Sequence, residues 1–565
     1  MAADMRARLG TLGSVVAVVA IMALTPAAAD RPHGRFDLPM TGFAPPSTVL
    51  HTGSPASAGL DPTPIAQVDA AIAKSTLFPG AVSLLVHDGV IVDQVATGKA
   101  VRYADATTEL PADEQVPMRP DTIFDIASLT KLFTSIAVLR LVDDGKVDVN
   151  RRVSTYLPEF GANGKEAITV EQLLTHTSGL EPDLPLWQDW PDKASRIKAV
   201  MDVAPTALPG TVYIYSDLNL ITLGVLVERT GGEPLDTVVA QRIAKPLGLK
   251  DTGYHPPPSK LDRIAATEYQ VAPPRGMVRG QVHDENAWAL GGVAGHAGIF
   301  STAADLAVVG QAILNGGSYK GNRILREDTV RAMLTDHNTA FPGDAHGLGF
   351  ELDQRWYMGG LTGPRTAGHT GFTGTSLVLD PASRSIAVLL TNRIHPVRAN
   401  GSINSARTEL ATALAQSLAV RPIAGPTDWY TDTGGATLST PALAATDVSF
   451  AAFVDTNPAS GVVLEASTDG VTWQPLRMTV TGPGAPPGEV TALSGSGHRS
   501  WWTVHAIAPT GEAVTLRWRF VTDGGTPGRG VTIDRILVTD SIRILLNGEK
   551  QPHLIRPVEW EVKTR

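Results

Sequence analysis

The 565-residue chain contains no cysteine. That absence excludes disulfides, a lipid-modified cysteine and zinc sites built on thiolates, so stability outside a cell has to come from packing. The chain also lacks a basic excess. Its 47 lysines and arginines face 56 acids, a formal net charge of -9, which leaves no surplus to displace counterions from phosphates and argues against a nucleic-acid partner. No G-x-S-x-G occurs, so the nucleophile elbow of α/β-hydrolases is not expected. There is no internal repeat of fixed period, and beyond the N-terminus no segment is long and apolar enough to span a bilayer.

What is present divides the chain. Arg6 and Arg8 precede an apolar run from Leu9 to Leu24, and Ala27, Ala28 and Ala29 supply a small-residue exit. A charged start, an apolar middle too short for a membrane anchor and an A-x-A exit read as a signal peptide over 1–29, hence a secreted protein with no membrane span once it is cleaved. Residues 30–59, rich in proline, glycine and serine, read as a tether. Two hairpin patterns follow far apart, "AVSLLVHDGVIVDQVATG" turning at Asp88-Gly89 and "TSLVLDPASRSIAVLLTN" turning at Asp380-Pro381, with helical periodicity between them. This predicts one sheet assembled from both ends of a long domain, 60–420. Prolines and glycines mark 421–435 as a second linker. Beyond it only short strand patterns occur, which predicts an antiparallel sandwich over 436–565. There Trp501 and Trp502 fit a core pair better than a platform for a sugar, although contact with carbohydrate or cell wall through this domain stays open.

The chemistry concentrates in "FDIASLTKLFTSIAVLRLVDDGK". Spacing proves little, because S-x-x-K recurs at Ser195 and Lys198 in "WPDKASRIKAV". Context separates the two. Ser195 lies in a charge-rich stretch, whereas Ser128 opens a run with Leu129, Leu132, Phe133, Ile136, Ala137, Leu139 and Val142, a helix apolar on nearly every side that must be buried. Residues three apart share a helix face, so the Lys131 amine would hang beside the Ser128 hydroxyl in a dry interior. Burial would draw the amine toward neutrality and make it a proton acceptor, and the helix N-terminus would favour negative charge on an attacked carbonyl oxygen. The bland alternative is that Ser128 caps the helix and Lys131 snorkels to solvent.

Two further stretches bear on this, Tyr215 in "VYIYSDLNLITLG" and His369 in "GHTGFTGTSLVLD". With "SLTK", "YSD" and "HTG" in that order, residues 59–420 resemble the serine β-lactamase and penicillin-binding superfamily, in its class C-like branch with D-alanyl-D-alanine carboxypeptidases, D-aminopeptidases and esterases. "VHDENAWALGGVAGHAG" is most similar to the penicillin-binding protein 4B group. The C-terminal part resembles jelly-roll modules of secreted bacterial hydrolases. The resemblance implies an α+β fold, an antiparallel sheet flanked by helices plus an all-helical lobe, followed by the sandwich. It implies a serine hydrolase with no cofactor that acts on a small-molecule or peptidoglycan-derived peptide or ester substrate. Ser128 would form the acyl-enzyme, Lys131 and Tyr215 would share the proton, the amides of Ser128 and Phe372 would form the oxyanion hole, and Asp217, His369, Thr370 and Gly371 would contact substrate.

Two positions depart from the family pattern. Asp217 stands where the family has asparagine, and a carboxylate there would raise the Lys131 pKa. His369 stands for a lysine, which weakens the grip on an anionic carboxylate and shifts expectation from β-lactams toward esters and amides. A catalytically inactive wall-binding protein on the same fold is the alternative. "GPRTAGHT" matches a phosphate loop except for His369, but strands follow it where a helix is needed. His283, Asp284, Glu285 and His296 could ligate a metal, yet their spacing fits no H-E-x-x-H helix, so no metal is expected. His176 reads as a hydrogen-bonded structural residue.

Overall fold

The computed structural model describes residues 35–495, 499–509, 512–524, 528–540 and 542–564; the stretch 1–29, read from the sequence as a signal peptide, lies outside them. The two predicted hairpins meet in one sheet. Gly80–His87 pairs antiparallel with Val90–Val101 on one side and with Ser385–Thr391 on the other, Leu84 facing Val388. Thr375–Asp380, Ala367–Gly371 and Glu351–Leu352 extend the sheet in that order. Alternate residues of a strand point to opposite faces, and here both faces are covered. Ala81, Leu85, Ala387 and Leu389 pack with the helices Pro62–Lys74 and Asn404–Ser417. Val82, Leu84, Ile386 and Val388 join the core of Thr130–Asp143 and Ala303–Leu314.

The helix Thr130–Asp143 is buried from Thr130 through Leu139 and again at Leu141, as its all-round apolarity requires. The second S-x-x-K behaves differently. Ser195 completes a capping box with Asp192, and Lys198 is exposed and paired with Asp202.

The stretch read as a tether is held to the domain over its described part. The Phe36 amide donates to Ala419 O at 2.8 Å, Met40 to Ala382 O at 2.8 Å and Ala44 to Leu314 O at 2.8 Å, and the Phe36 ring is 1% exposed. Proline and glycine content suggested freedom, but hydrogen bonds spaced along the strap and one buried phenyl, worth ~1.5–3 kcal/mol, decide otherwise. The second linker also carries structure. Thr427–Thr431 is a strand paired with Val531–Ile533 and with Tyr430's partner strand Glu561–Thr564, and the Ile423 and Ala424 amides donate to the Asp534 carboxylate.

From there the chain forms two antiparallel sheets around a core that includes Phe450, Trp502, Trp518, Phe520 and Ile533. Trp502 is 2% exposed. Trp501 instead turns its ring edge to Phe453, 5.9 Å between centroids, at the seam with the first domain.

That seam is built from apolar contact and buried arginines. Phe453 shares a core with Phe36, Tyr357, Met358 and Leu361. Arg499 donates to Asp380 Oδ2 at 2.5 Å and to Leu361 O at 2.6 Å, with both charged side chains 2% exposed or less. Arg529 donates to the carbonyls of Ala415 and Leu418 at the C-terminal end of Asn404–Ser417, where a cation also opposes the helix dipole. Removing one partner of a buried ion pair strands the other charge. Arg499→Leu is therefore expected to destabilise the protein by ~3–5 kcal/mol, read as a lowered midpoint in urea, with both domains still unfolding in one transition because they share a core.

Candidate active site

The chain reaches Ser128 through a forced bend. Phe124–Asp125 pairs with Ile299–Ser301, and the buried Asp125 carboxylate accepts the amides of Ala127 at 2.9 Å and His283 at 2.6 Å. Ala127 is thereby held at φ 47°, an uncommon conformation for a residue with a Cβ. A 3-10 turn, Ala127–Leu129, then leads into Thr130–Asp143. The Ser128 side chain makes no capping bond. Its Oγ instead accepts from Lys131 Nζ at 2.9 Å, and the cap-and-snorkel alternative fails on both residues, since Lys131 is 1% exposed.

Lys131 Nζ also donates to His296 O at 3.3 Å, lies 2.8 Å from Asp217 Oδ1 and stands 4.8 Å from the Tyr215 ring centroid. Both Lys131 and Ser128 act on the Tyr215 phenol in the sense that favours its deprotonation. Tyr215 is held from behind by His176, whose ring lies 4.6 Å away and whose Nδ1 accepts from the Ser216 amide at 3.0 Å. Asp217 starts the buried helix Asp217–Gly231, which brings its carboxylate to the amine.

The strand Ala367–Gly371 closes the other side. The hydroxyls of Thr373 and Thr375 donate to the carbonyls of Asp125 and Ile126 at 2.7 and 3.1 Å. This turn approaches so closely that a Cβ at Gly371 would stand 2.5 Å from Ile126 O, which is why only glycine fits there. The contact sets Phe372 beside Ser128. A cleft of about 520 Å³ opens over them, lined by Ser128, Tyr215, His369, Thr370, Gly371 and Phe372, and by Glu351, Trp356 and Arg407, which the motifs did not indicate. Ser128, Lys131, Tyr215, Asp217, His369, Thr370, Gly371 and Phe372 are thus all brought together. Glu351, Trp356 and Arg407 carried no local signal, because their only common property is convergence across the sheet.

Charge in the site follows from Lys131. Burial alone would lower the amine, but the charge of Asp217, and after it Tyr215, more than reverses this and leaves Lys131 above the ordinary lysine value. The expectation drawn from burial alone thus gives way to the one drawn from Asp217, whose carboxylate raises the amine. Burial raises the Tyr215 phenol, Lys131 pulls it back and Asp217 pushes it up again, for a net rise. His369, buried and facing the Lys131 charge, is pushed down to about 3 and is neutral at pH 7; its Nδ1 lies 2.7 Å from Thr370 O. Burial also pushes His346 down to about 4 and the Glu351 carboxyl up to about 7.

Asp217, Asp284 and His296 bring one potential metal-ligand atom each to within 4.8 Å of one another. The Lys131 ammonium already lies against Asp217, and His296 Nε2 is 3.1 Å from Asp284 Oδ1. The donors are engaged with a fixed cation and with each other, a poor fit to a resident metal.

A serine hydroxyl on a buried lysine with a phenol alongside, at the junction of a helical region and an antiparallel sheet, defines the class as serine hydrolase. Comparison with known proteins agrees. Residues 65–412 match the β-lactamase family. A relative from Salmonella agona, provisionally named D-alanyl-D-alanine carboxypeptidase, is 36% identical over 407 residues, covering 65% of this chain and 91% of the relative. This chain belongs to the β-lactamase family. A class C β-lactamase superposes with TM-score 0.51 at 19% identity, covering 64% of this chain and 97% of the other. A penicillin-binding protein homologue from Caulobacter crescentus does so with TM-score 0.50 at 23% identity, covering 63% and 97%. At those identities the two structures speak for the fold.

The electrostatics generate a directional test. Asp217→Asn removes the anion that raises both Lys131 and Tyr215, so both pKa values fall. The acidic limb of the kcat/KM–pH profile is expected to move to lower pH by about 1 unit, the low end of what a neighbouring charge produces, as measured by initial rates carried from neutral pH up to pH 12. An unmoved limb would show that neither group sets it.

Proposed function

We propose that the protein is an exported serine hydrolase that forms an acyl-enzyme on Ser128 and cleaves an amide or ester bond in a small molecule or a cell-wall peptide. The observation that supports this most directly is the 2.9 Å bond from the buried Lys131 amine to the Ser128 hydroxyl. Because Lys131 stays charged, it serves as the fixed cation that pulls the Tyr215 phenol down against burial and Asp217, and the fraction of Tyr215 present as phenolate takes the Ser128 proton. Ser128 Oγ then bonds to the substrate carbonyl carbon, and the carbonyl oxygen becomes an oxyanion facing the amides of Ser128 and Phe372, each worth about 3 kcal/mol in the transition state. Collapse breaks the bond to the leaving group, which receives the proton from Tyr215. Water repeats the sequence and frees Ser128.

The name of the Salmonella relative supports peptides ending in D-alanine as one substrate class. The neutral His369 leaves such a carboxylate without the lysine the family pattern provides, which favours esters and amides beside it. Export rests on Arg6, Arg8, the Leu9–Leu24 run and Ala27–Ala29. Among the described residues no helix is long and apolar enough to cross a membrane.

A second reading, a wall-binding protein on a silent catalytic fold, draws on the Lys131–Asp217 ion pair, which denies the lysine a base role. One experiment separates them. Nitrocefin, p-nitrophenyl butyrate and a D-alanyl-D-alanine peptide are offered to wild type and Ser128→Ala, and a fluorophosphonate adduct is mapped by mass. Turnover of at least one substrate that falls more than a thousandfold in Ser128→Ala, with the adduct on Ser128, supports the hydrolase. Turnover that survives the substitution overturns it, and absence of turnover with retention on wall polymers supports the second reading.

A further inference from the structure

The turn of helix Arg355–Met358 points its side chains three ways. Arg355 reaches into the C-terminal sandwich, where its guanidinium donates to Asp455 Oδ1 at 2.8 Å, the Asp455 side chain being 2% exposed. The sandwich leaves room for it, because a Cβ at Gly528, where φ is 86°, would stand 2.3 Å from Arg355 Nη1. Tyr357 and Met358 turn into the core shared with Phe453. Trp356, between them, faces the cleft that holds Ser128 and is 44% exposed. Its carbonyl accepts from Thr408 Oγ1 at 2.8 Å, and its indole donates to Gln354 Oε1 at 3.1 Å.

Phe372 also lines this cleft and is 50% exposed. It is equally fixed, its ring stacked on His283 at 5.8 Å and 19° and flanked by the Arg393 guanidinium at 5.0 Å. Large apolar side chains exposed singly need no explanation, but two rings pinned by specific contacts on the walls of one cleft do. A ring that already has its position fixed loses little freedom when a flat partner stacks on it.

Resting on the hydrolase reading above, we propose that Trp356 and Phe372 form an aromatic subsite for a flat apolar group of the substrate. Trp356 is held there by the C-terminal sandwich through the Asp455–Arg355 ion pair. Trp356 is thus a specificity residue and Asp455 a positioning residue, and the sandwich completes the active site.

Three esters test this: ethyl butyrate without a ring, benzyl butyrate with a ring in the alcohol, and ethyl phenylacetate with a ring in the acyl group. In wild type a ringed ester is expected to exceed ethyl butyrate in kcat/KM. In Trp356→Ala that ratio is expected to fall about tenfold through KM, while Trp356→Phe restores most of it and so controls for misfolding. Asp455→Asn is expected to lower the same ratio three- to tenfold, again through KM. Equal losses on ringed and ringless esters, or none, overturn the subsite, and an unchanged ratio in Asp455→Asn overturns the role of the sandwich. Calorimetric titration of phenylacetate into Ser128→Ala protein reports on the subsite without turnover. Binding that is lost on adding Trp356→Ala supports it even if Ser128 is not the nucleophile, and binding indifferent to Trp356 overturns it.

Discussion

One ammonium group, buried to 1% exposure, organises this active site. A charge withdrawn from water to that degree is tolerated only with partners in place, and the partners of Lys131 come from three stretches of the chain: Ser128 one turn back, Tyr215 with Asp217, and the carbonyl of His296. Each needs its own support. Asp217 is supplied by the start of a buried helix, Tyr215 by the His176 ring behind it, and Ser128 by the bend that Asp125 imposes at Ala127. The surrounding imidazoles then have no choice of state. Close to a permanent cation and away from water, His176 and His369 are held neutral, so they contribute shape and hydrogen bonds rather than charge.

The motif residues were legible because their chemistry is local. A serine three positions before a lysine can be judged from the periodicity around it, and Ser195 with Lys198 shows how the same spacing reads when its surroundings are polar. The two hairpins were legible for the same reason, since alternation and a turn fall within twenty residues. Phe36 was not. Its burial depends on Ala419 and on two arginines, Arg499 and Arg529, whose guanidinium groups lie 4.3 and 5.1 Å from its ring. Nothing in a Pro/Gly/Ser-rich segment announces partners hundreds of positions away. Burial weighed by itself points the Lys131 pKa the wrong way, and the departure at Asp217 already contained the correction, because the attraction of Asp217 at 2.8 Å and that of Tyr215 together outweigh desolvation.

Phe36 also explains why the sandwich is more than an appendage. The N-terminal strap, the end of the helix Asn404–Ser417 and the strand Asp447–Thr456 meet around that ring, with the arginines bridging to main-chain carbonyls and to Asp380. Buried ion pairs add little net stability compared with an apolar seam, yet they penalise every misregistered arrangement. A seam of this kind fixes orientation, and orientation is what a helix one turn long needs if it is to present a tryptophan to a cleft.

The cleft's own charges follow from the same logic. Lys131 and Asp217 cancel each other, His369 is neutral, and what remains facing substrate is Arg407, with Arg393 at the rim, against the Glu351 carboxyl held up to about 7 by burial. Arg407 is committed to the carbonyls of Gly371 and Thr375, at 2.9 and 3.0 Å, and so braces the strand that carries His369 more than it reaches outward. With the family's lysine replaced and the nearest arginine engaged, the substrate finds little fixed charge on the floor of the cleft and two aromatic rings on its walls. On the proposed hydrolase reading, shape and apolar surface are the terms such a cleft offers for recognition, and in those terms a flat or bulky ester differs most from a small charged peptide.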